Sequence, residues 1–422
     1  MVAIETRRRK PMITTLGKHA VHPWFAVADD AIVVGGKPIT ALAREIGRTP
    51  FYVYDSAVMT RKVAELKAAL PAEVHVHYAM KANPMPAVVR HMAAQVDGID
   101  VASMAELGVA LAAGANPQVI SFAGPGKTPR ELQAAVDAGV ILNVESELEL
   151  RRLAQIAQSS GKRPRVAVRV NPDFELKASG MKMGGGPKQF GIDAERVPQV
   201  LQEMRSLPCE FVGFHIFSGS QNLRADSIVE AQTKAVALAA ELARAAPGPV
   251  RVLNIGGGLG VPYFPGEQPI DVAPIASNLR GLLEQVRATM PQARVVLELG
   301  RYLVAESGLY VCRVLDRKVS RGHVFLITDG GLHHHLSASG NFGQVLRKNY
   351  PVLIANRVQG TERETVSVVG PLCTPLDLLA DRMEMARADV DDLVAVLQSG
   401  AYGLTASPLG FLSHPPPAEV MV

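Results

Sequence analysis

Between residues 74 and 299 the chain repeats one pattern eight times. Apolar runs that read as strands lie at 74–80, 98–102, 119–122, 140–144, 165–170, 211–217, 250–255 and 294–299. Amphipathic stretches with helical spacing lie among them, at 57–70, 104–113, 129–138, 145–160, 197–204, 225–246 and 273–290. Strands separated by helices must run parallel, because each helix carries the chain back to the end where it started. Six such units would suit an open doubly wound sheet equally well. Eight units in roughly 250 residues predict a (β/α)8 barrel, whose chemistry sits at the carboxyl ends of the strands.

The texture changes after about residue 305. Runs at 310–314, 323–328, 365–369 and 393–397 read as strands with little helix between them, so a second, mostly β domain is expected. Residues 25–38, FAVADDAIVVGGKP, read as a short strand pair with a Gly-Gly turn, and 40–46 as a short helix. The expected division is residues 1–47 lending strands to the β domain, 48–305 as barrel and 306–422 as β domain. Residues 1–20 read as unstructured.

Composition narrows the function classes. With 422 residues, 48% hydrophobic and 20% charged, there is material for two cores. Net charge is only +4, and the single basic cluster is at 7–10, which argues against a nucleic-acid partner. No apolar stretch is long enough to span a bilayer, and no signal-peptide pattern follows the basic cluster. Cys209, Cys312 and Cys373 are odd in number and lack metal-ligand spacing, so free thiols, a cytoplasmic setting and no metal site are expected.

The strand ends carry the chemistry. The first run ends at Lys81, on the same strand face as Ala79 and His77. Asn83 reads as the N-cap and Pro84 as the first residue of a helix burying Val88, Val89 and Met92. Alone, Lys81 would read as a surface lysine in a loop. The second run supplies Asp100, followed by Ser103 and Glu106; the sixth supplies His215, Phe217 and Ser218-Gly219-Ser220. The seventh ends in Gly256-Gly257-Gly258-Leu259-Gly260, and the eighth gives Glu298, Gly300 and Arg301. Glycines after a strand let backbone N–H groups approach an anion, a helix N-terminus would add to the attraction, and Arg301 supplies a fixed cation. A lysine, a phosphate cradle and a carboxylate are what pyridoxal 5'-phosphate requires: an amine for its aldehyde, an anchor for its phosphate, and a partner for its ring nitrogen. Glu298 reads either as that partner or as a buried carboxylate paired with Arg301.

These residues sit in motifs with a family likeness. YAMKANP (78–84), GIDVAS with Glu106, GSQ (219–221), NIGGGLG (254–260), ELGRYLVAESG (298–308), GPLCTPLD (370–377) and SGAYG (399–403) resemble the fold-type-III pyridoxal-phosphate decarboxylases of diaminopimelate, ornithine and arginine. Within that family, FAGPGKT, NPDFELKASGMKMGGGPKQFGI and GFHIFSGSQNL are most similar to the exosortase-associated group and to the decarboxylases acting on a glutamyl group tethered to an acyl carrier protein. The resemblance runs from about residue 48 to the C-terminus. It implies an alanine-racemase-like barrel, a C-terminal β domain and a head-to-tail homodimer with shared active sites. It makes Lys81 the Schiff-base lysine, kept neutral by burial, and Glu298 the pyridinium partner. It assigns the phosphate to Ser220, Gly257, Gly258, Arg301 and Tyr402, with Gly256 and Gly300 also in the cofactor site. Cys373 of the second subunit would protonate the product. Asp100 and Glu106 would be supporting carboxylates.

Two departures from the family pattern bear on chemistry. Where relatives stack a histidine on the ring, this chain has Phe217, with His215 two residues earlier on the same face; Phe217 is assigned the stacking and His215 a supporting or substrate contact. Where relatives carry an acidic residue after the cysteine, this chain has Thr374. A neutral side chain does not pair a substrate's distal ammonium. Asp329, Asp377, His333, Arg301 and Tyr402 remain as candidate substrate contacts, and the expected substrate presents an uncharged or acidic distal group, free or tethered to an acyl carrier protein. The alternatives are a diaminopimelate decarboxylase on free substrate, a racemase of the same fold, or a non-catalytic relative that binds a partner. The Gly- and Lys-rich segment 177–189 reads equally as a lid or as a surface insertion.

Overall fold

Eight parallel strands close on themselves. Val74–Ala79, Gly98–Val101, Ile120–Phe122, Ile141–Val144, Arg165–Asn171, Glu210–His215, Val252–Gly257 and Arg294–Leu299 pair in chain order. The ring closes where the eighth strand meets the first, with Glu298 opposite His77. In this computed structural model, which describes residues 12–13, 19–175, 180–344 and 346–422, the predicted barrel is therefore present. Covered on both faces, the strands are apolar outside as well as in, and Val76, Leu142, Val168 and Leu297 are completely buried.

The helices between the strands begin and end where side chains can satisfy their open backbone groups. Thr128 and Glu131 form a reciprocal capping box at Pro129–Ala138, and Ser103 and Ser146 cap the helices that follow them. Gly139 and Gly161 close two of these helices in the left-handed region, at φ 71° and 69°.

The first crossover departs from expectation. Its strand stops at Ala79, and Lys81 lies in a single 3-10 turn, Met80–Ala82. The helix starts at Pro86, not Pro84. A proline pushes the residue before it out of the helical region, and Met85 accordingly sits at φ −52°, ψ 125°. Asn83 caps the loop instead, its Oδ1 accepting the Met85 N–H at 3.1 Å. Val88, Val89 and Met92 are buried as their spacing predicts.

The second unit is mostly β. A long strand, Gly308–Ser320, is central to its larger sheet. It pairs antiparallel with His323–Thr328, Leu393–Val396 and Phe51–Tyr54. Phe51–Tyr54 also pairs, in parallel, with Ala418–Met421. A smaller sheet holds His22–Ala28, Ala31–Val34 and Lys37–Pro38. Its first turn is Asp29-Asp30, both at positive φ (48° and 61°), and Gly35-Gly36 makes the second. The helix Ile39–Ile46 follows as expected. Phe25, Ile32, Phe51, Val53, Leu309, Val311 and Leu397 share one core.

The division of the chain differs from a simple cut at 47 and 305. The β unit comprises Met1–Val58, Pro262–Gln268 and Ala305–Val422; the barrel comprises Met59–Val261 and Pro269–Val304. Strand pairing of Phe51–Tyr54 puts the first boundary later. The return visit at 262–268 is fixed by Tyr263, which stacks on Tyr350 at 4.5 Å. The basic cluster 7–10 and residues 177–179 of the Gly- and Lys-rich segment lie outside the described residues. Among the described residues no helix is long and apolar enough to cross a membrane.

Candidate active site

Glu298 sits near the end of the eighth strand, 6% exposed, and is the hub of the barrel's carboxyl rim. Its Oε1 lies 3.5 Å from Lys81 Nζ, and its Oε2 lies 3.0 Å from His215 Nε2. Asn254 Nδ2 also donates to Oε2, at 3.4 Å. Among the described residues the ion-pair partners of Glu298 are Lys81 and His215, not Arg301. Burial opposes the charged form of Glu298. Lys81 and the His215 hydrogen bond outweigh it and hold the carboxyl below the usual range. A permanently ionised acceptor is thus fixed inside the barrel mouth.

Lys81 itself is exposed, its side chain 43% accessible, and not buried as expected. The 3-10 turn lifts it clear of the strand. Its ammonium stands 5.6 Å from the centre of the Phe217 ring. Phe217 is half-buried, whereas His215 is 2% exposed and turned to Glu298. The two rings are 6.2 Å apart and 44° out of parallel. The phenyl ring thus faces the lysine and the imidazole positions the carboxylate.

The glycine run is shaped by close approach. Gly256 and Gly258 have φ 67° and 79°, and a Cβ on Gly256 would come within 2.8 Å of the Phe217 ring. A Cβ on Gly257 would overlap Leu299 and the Glu298 carbonyl, and one on Gly300 would stand 2.8 Å from the Ala79 carbonyl. Asn254 Oδ1 holds the Gly256 N–H at 2.8 Å. The segment carrying Ser220 is laced to the same run, with Asn222 N–H donating to the Gly258 carbonyl and Gly260 N–H to the Asn222 carbonyl, both at 2.9 Å. No helix starts directly after the run; the next is Ala273–Thr289, so its dipole adds nothing there. Arg301 opens the short helix Arg301–Val304. Bare backbone, a cation, an amine and an anionic acceptor on one rim fit pyridoxal phosphate.

Asp100 faces inward, away from the role expected beside the lysine. It is buried 3.4 Å from His77 Nδ1. Burial raises its carboxyl; His77 opposes this and Glu298 adds to it. Glu106 caps the Ala102 N–H at 2.7 Å, and burial raises its carboxyl against the pull of that amide and of Lys81. Asn254 went unnoticed in the sequence, although it opens the NIGGGLG motif. Two buried ion pairs also escaped it, Arg169–Glu145 at 2.8 Å and Lys127–Glu149 at 2.7 Å. Their signal is charge at positions otherwise apolar in strand or helix.

The other candidates lie in the β unit. Cys373 is exposed in the turn after Gly370, and Thr374 follows, its N–H bonded to the Leu372 carbonyl at 2.8 Å. Tyr402 is half-buried at φ 52°, its carbonyl accepting from Ser337. Three candidate substrate contacts have partners or packing within the β unit. Asp377 is 3% exposed and accepts the Leu332 and Leu372 N–H groups at 2.6 and 2.8 Å. Asp329 accepts from the Arg313 N–H at 2.8 Å and from Thr49 Oγ1. His333 is fully buried, like His334 and His335, because the triplet packs into the unit's interior; His335 bonds Ser399 at 2.9 Å. Asp377 and Asp329 thus brace loops of the β unit.

Comparison with known proteins agrees with this geometry. Residues 56–305 match the family model described as pyridoxal-dependent decarboxylase, pyridoxal binding domain. The chain is 38% identical over 389 residues to the L-glutamyl-[BtrI acyl-carrier protein] decarboxylase of Niallia circulans, covering 91% of this chain and 90% of that one. It is 32% identical over 410 residues to the diaminopimelate decarboxylase of Aquifex aeolicus, covering 95% and 93%. The crystal structure of Helicobacter pylori diaminopimelate decarboxylase complexed with L-lysine is similar in fold, with a TM-score of 0.81, 28% identity, and 91% and 94% of the two chains covered.

Proposed function

Because the chain belongs to the pyridoxal-dependent decarboxylase family, we propose that it removes the α-carboxylate of an aminoacyl substrate through Lys81, and through Cys373 of a second copy of the chain. The observation that carries this reading is the line from Lys81 through Glu298 to His215, at 3.5 and 3.0 Å. Bound pyridoxal phosphate would supply the sink for the electron pair left when CO2 departs. Lys81 Nζ is the accessible amine for its aldehyde. Glu298, kept ionised, would hold a proton on its ring nitrogen, and His215 Nε2–H and Asn254 Nδ2 fix the carboxylate that does so. Phe217 would cover the ring face that relatives cover with histidine. Gly256 to Gly258, Ser220, Gly300, Arg301 and Tyr402 would hold the phosphate. The exposed Cys373 thiol would return a proton to Cα. It would come from a second copy, as the likeness of GPLCTPLD (370–377) to the family's motif implies.

The distal end of the substrate is read from what the β unit offers. Thr374 is neutral, and the carboxylates of Asp329 and Asp377 already hold backbone or hydroxyl donors. Bringing a distal ammonium there would leave it poorly paired at a cost of several kcal/mol. An uncharged or acidic distal group fits better, and the Niallia relative's printed substrate is a carrier-bound glutamyl group. We assign a carrier-tethered acyl amino acid to this site. Free diaminopimelate is the second reading, favoured by the Aquifex relative.

The test is CO2 release by the pyridoxal-phosphate-loaded protein. Free diaminopimelate, ornithine, lysine, arginine and glutamate are offered beside a carrier-bound glutamyl thioester. Turnover of the thioester alone is expected. Turnover of a free basic amino acid would overturn the substrate assignment. Lys81→Ala is expected to abolish both turnover and the bound-cofactor absorbance; a variant that retained either would overturn the assignment of Lys81.

A further inference from the structure

At the amino ends of its strands, opposite the rim that carries Lys81, the barrel encloses a cavity of about 400 Å³. Its ceiling is apolar, made by Ile141, Val212, Val252 and Val296. Its walls are cationic: Arg165, Arg251 and Arg294, with His75 and the buried His77. Arg165 and Arg294 open the fifth and eighth strands, and Arg251 directly precedes the seventh.

One carboxylate answers three guanidiniums. Glu210 pairs with Arg251 at 2.7 Å. Arg165 donates to two carbonyls, those of Gln118 and Gly139, both at 3.2 Å. Arg294 makes no ion pair among the described residues. Asp97, the acid nearest His75, is committed to Lys67 at 2.9 Å and to the Val76 N–H at 2.8 Å. Arg251 also keeps a buried Nε–H without a hydrogen-bond partner. Burial lowers the pKa of Arg165; Glu210 opposes this, and the charges of Arg251 and Arg294 add to the lowering. Two positive charges are left over around a cavity whose Arg294 is exposed and whose Arg165 and Arg251 are half-buried, and guanidinium forks bind planar or tetrahedral oxyanions well.

We infer that this amino-end cavity binds a compact oxyanion of two or more negative charges, a phosphoryl compound or a polycarboxylate. It is a site separate from the catalytic rim, so ligand and cofactor bind together. The experiment is calorimetric titration of the pyridoxal-phosphate-loaded protein at low ionic strength, with pyrophosphate and with citrate. Loading the cofactor first occupies the phosphate cradle on the other rim. Saturable binding of at least one probe is expected, and whichever binds identifies the class. Arg294→Gln and Arg165→Gln are each expected to weaken it at least tenfold. Arg287→Gln, which removes a surface arginine paired with Glu73, should leave it unchanged. Should Arg165→Gln fail to fold, Gln292→Glu puts a negative charge at the cavity wall and is expected to weaken binding likewise. No saturable heat with either probe, or affinity unaltered in Arg294→Gln, overturns the assignment.

Discussion

Asp377 offers the sharpest test of how the reactive turn is held. The sequence places it four residues after Cys373, where it reads as a substrate contact. The structure makes it a clamp, with one oxygen on the Leu332 N–H and the other on the Leu372 N–H. Gly331 and Gly370 pack so closely that a Cβ on either would overlap its carboxylate. Asp377→Asn keeps the shape but turns one acceptor into a donor facing an N–H. A hydrogen bond to a charged acceptor contributes about 1.5–3 kcal/mol. Burial has already raised this carboxyl, against the pull of the two amides, so the neutral amide recovers part of the cost of burying charge. The expected net loss is about 2 kcal/mol, a fall in melting temperature of about 2 °C for a protein of this size. Cofactor absorbance should persist, since Lys81 lies in the barrel, while kcat falls as the Cys373 turn loosens. Thermal unfolding, cofactor spectra and CO2 release on one preparation decide it. A variant that melts within about 1 °C of the parent, with KM raised and kcat intact, would refute the clamp and restore the substrate contact.

Three further predictions follow from the same geometry. His215→Leu removes the 3.0 Å donor to Glu298 and should weaken cofactor retention by about 1.5–3 kcal/mol, read as a rise in the pyridoxal phosphate dissociation constant; retention equal to the parent's would count against His215 as the positioning residue. Thr374→Glu supplies the acid the turn lacks and should raise kcat/KM for free diaminopimelate at least tenfold; no change would mean the distal group is read elsewhere. Burial lowers His333, His334 and His335 to about 3, 4 and 3, so they stay neutral in the fold while the unfolded chain takes up protons below about pH 6.5. Stability is then complete above that pH and declines as pH falls from there toward 3; a urea midpoint at pH 5 equal to that at pH 7.5 would contradict it.

The barrel was legible because its signal is local and repeated. Strand runs and helix faces declare themselves within a dozen residues, and capping residues such as Thr128 and Ser146 sit where propensity places them. Lys81, Glu298 and the glycine run were legible by position at strand ends. What was not legible depends on partners distant in sequence. Nothing near Asp377 signals that it answers the amide of Leu332, and nothing near His333 shows that its triplet is walled in by Tyr310 and the 399–415 segment. The helix start was placed by Asn83 and Pro84, whereas Pro86 and its hold over Met85 set it. Phe51–Tyr54 read as the start of the barrel because its strand partners come more than 250 residues later, beyond the reach of any local pattern.

The parallel pairing of Ala418–Met421 with Phe51–Tyr54 also sets a timetable. A ribosome emits the barrel's last strand near residue 299, well before the strand at 418–421 leaves the tunnel. The barrel can therefore close during synthesis, whereas Phe51–Tyr54 waits with one edge unsatisfied for a partner made well after the barrel. Cutting the chain just before Ala418 would leave that edge open for good. The nascent protein is expected to acquire protease resistance in two steps, barrel first, with the unit that carries Cys373 sealed only after residues 418–421 have emerged.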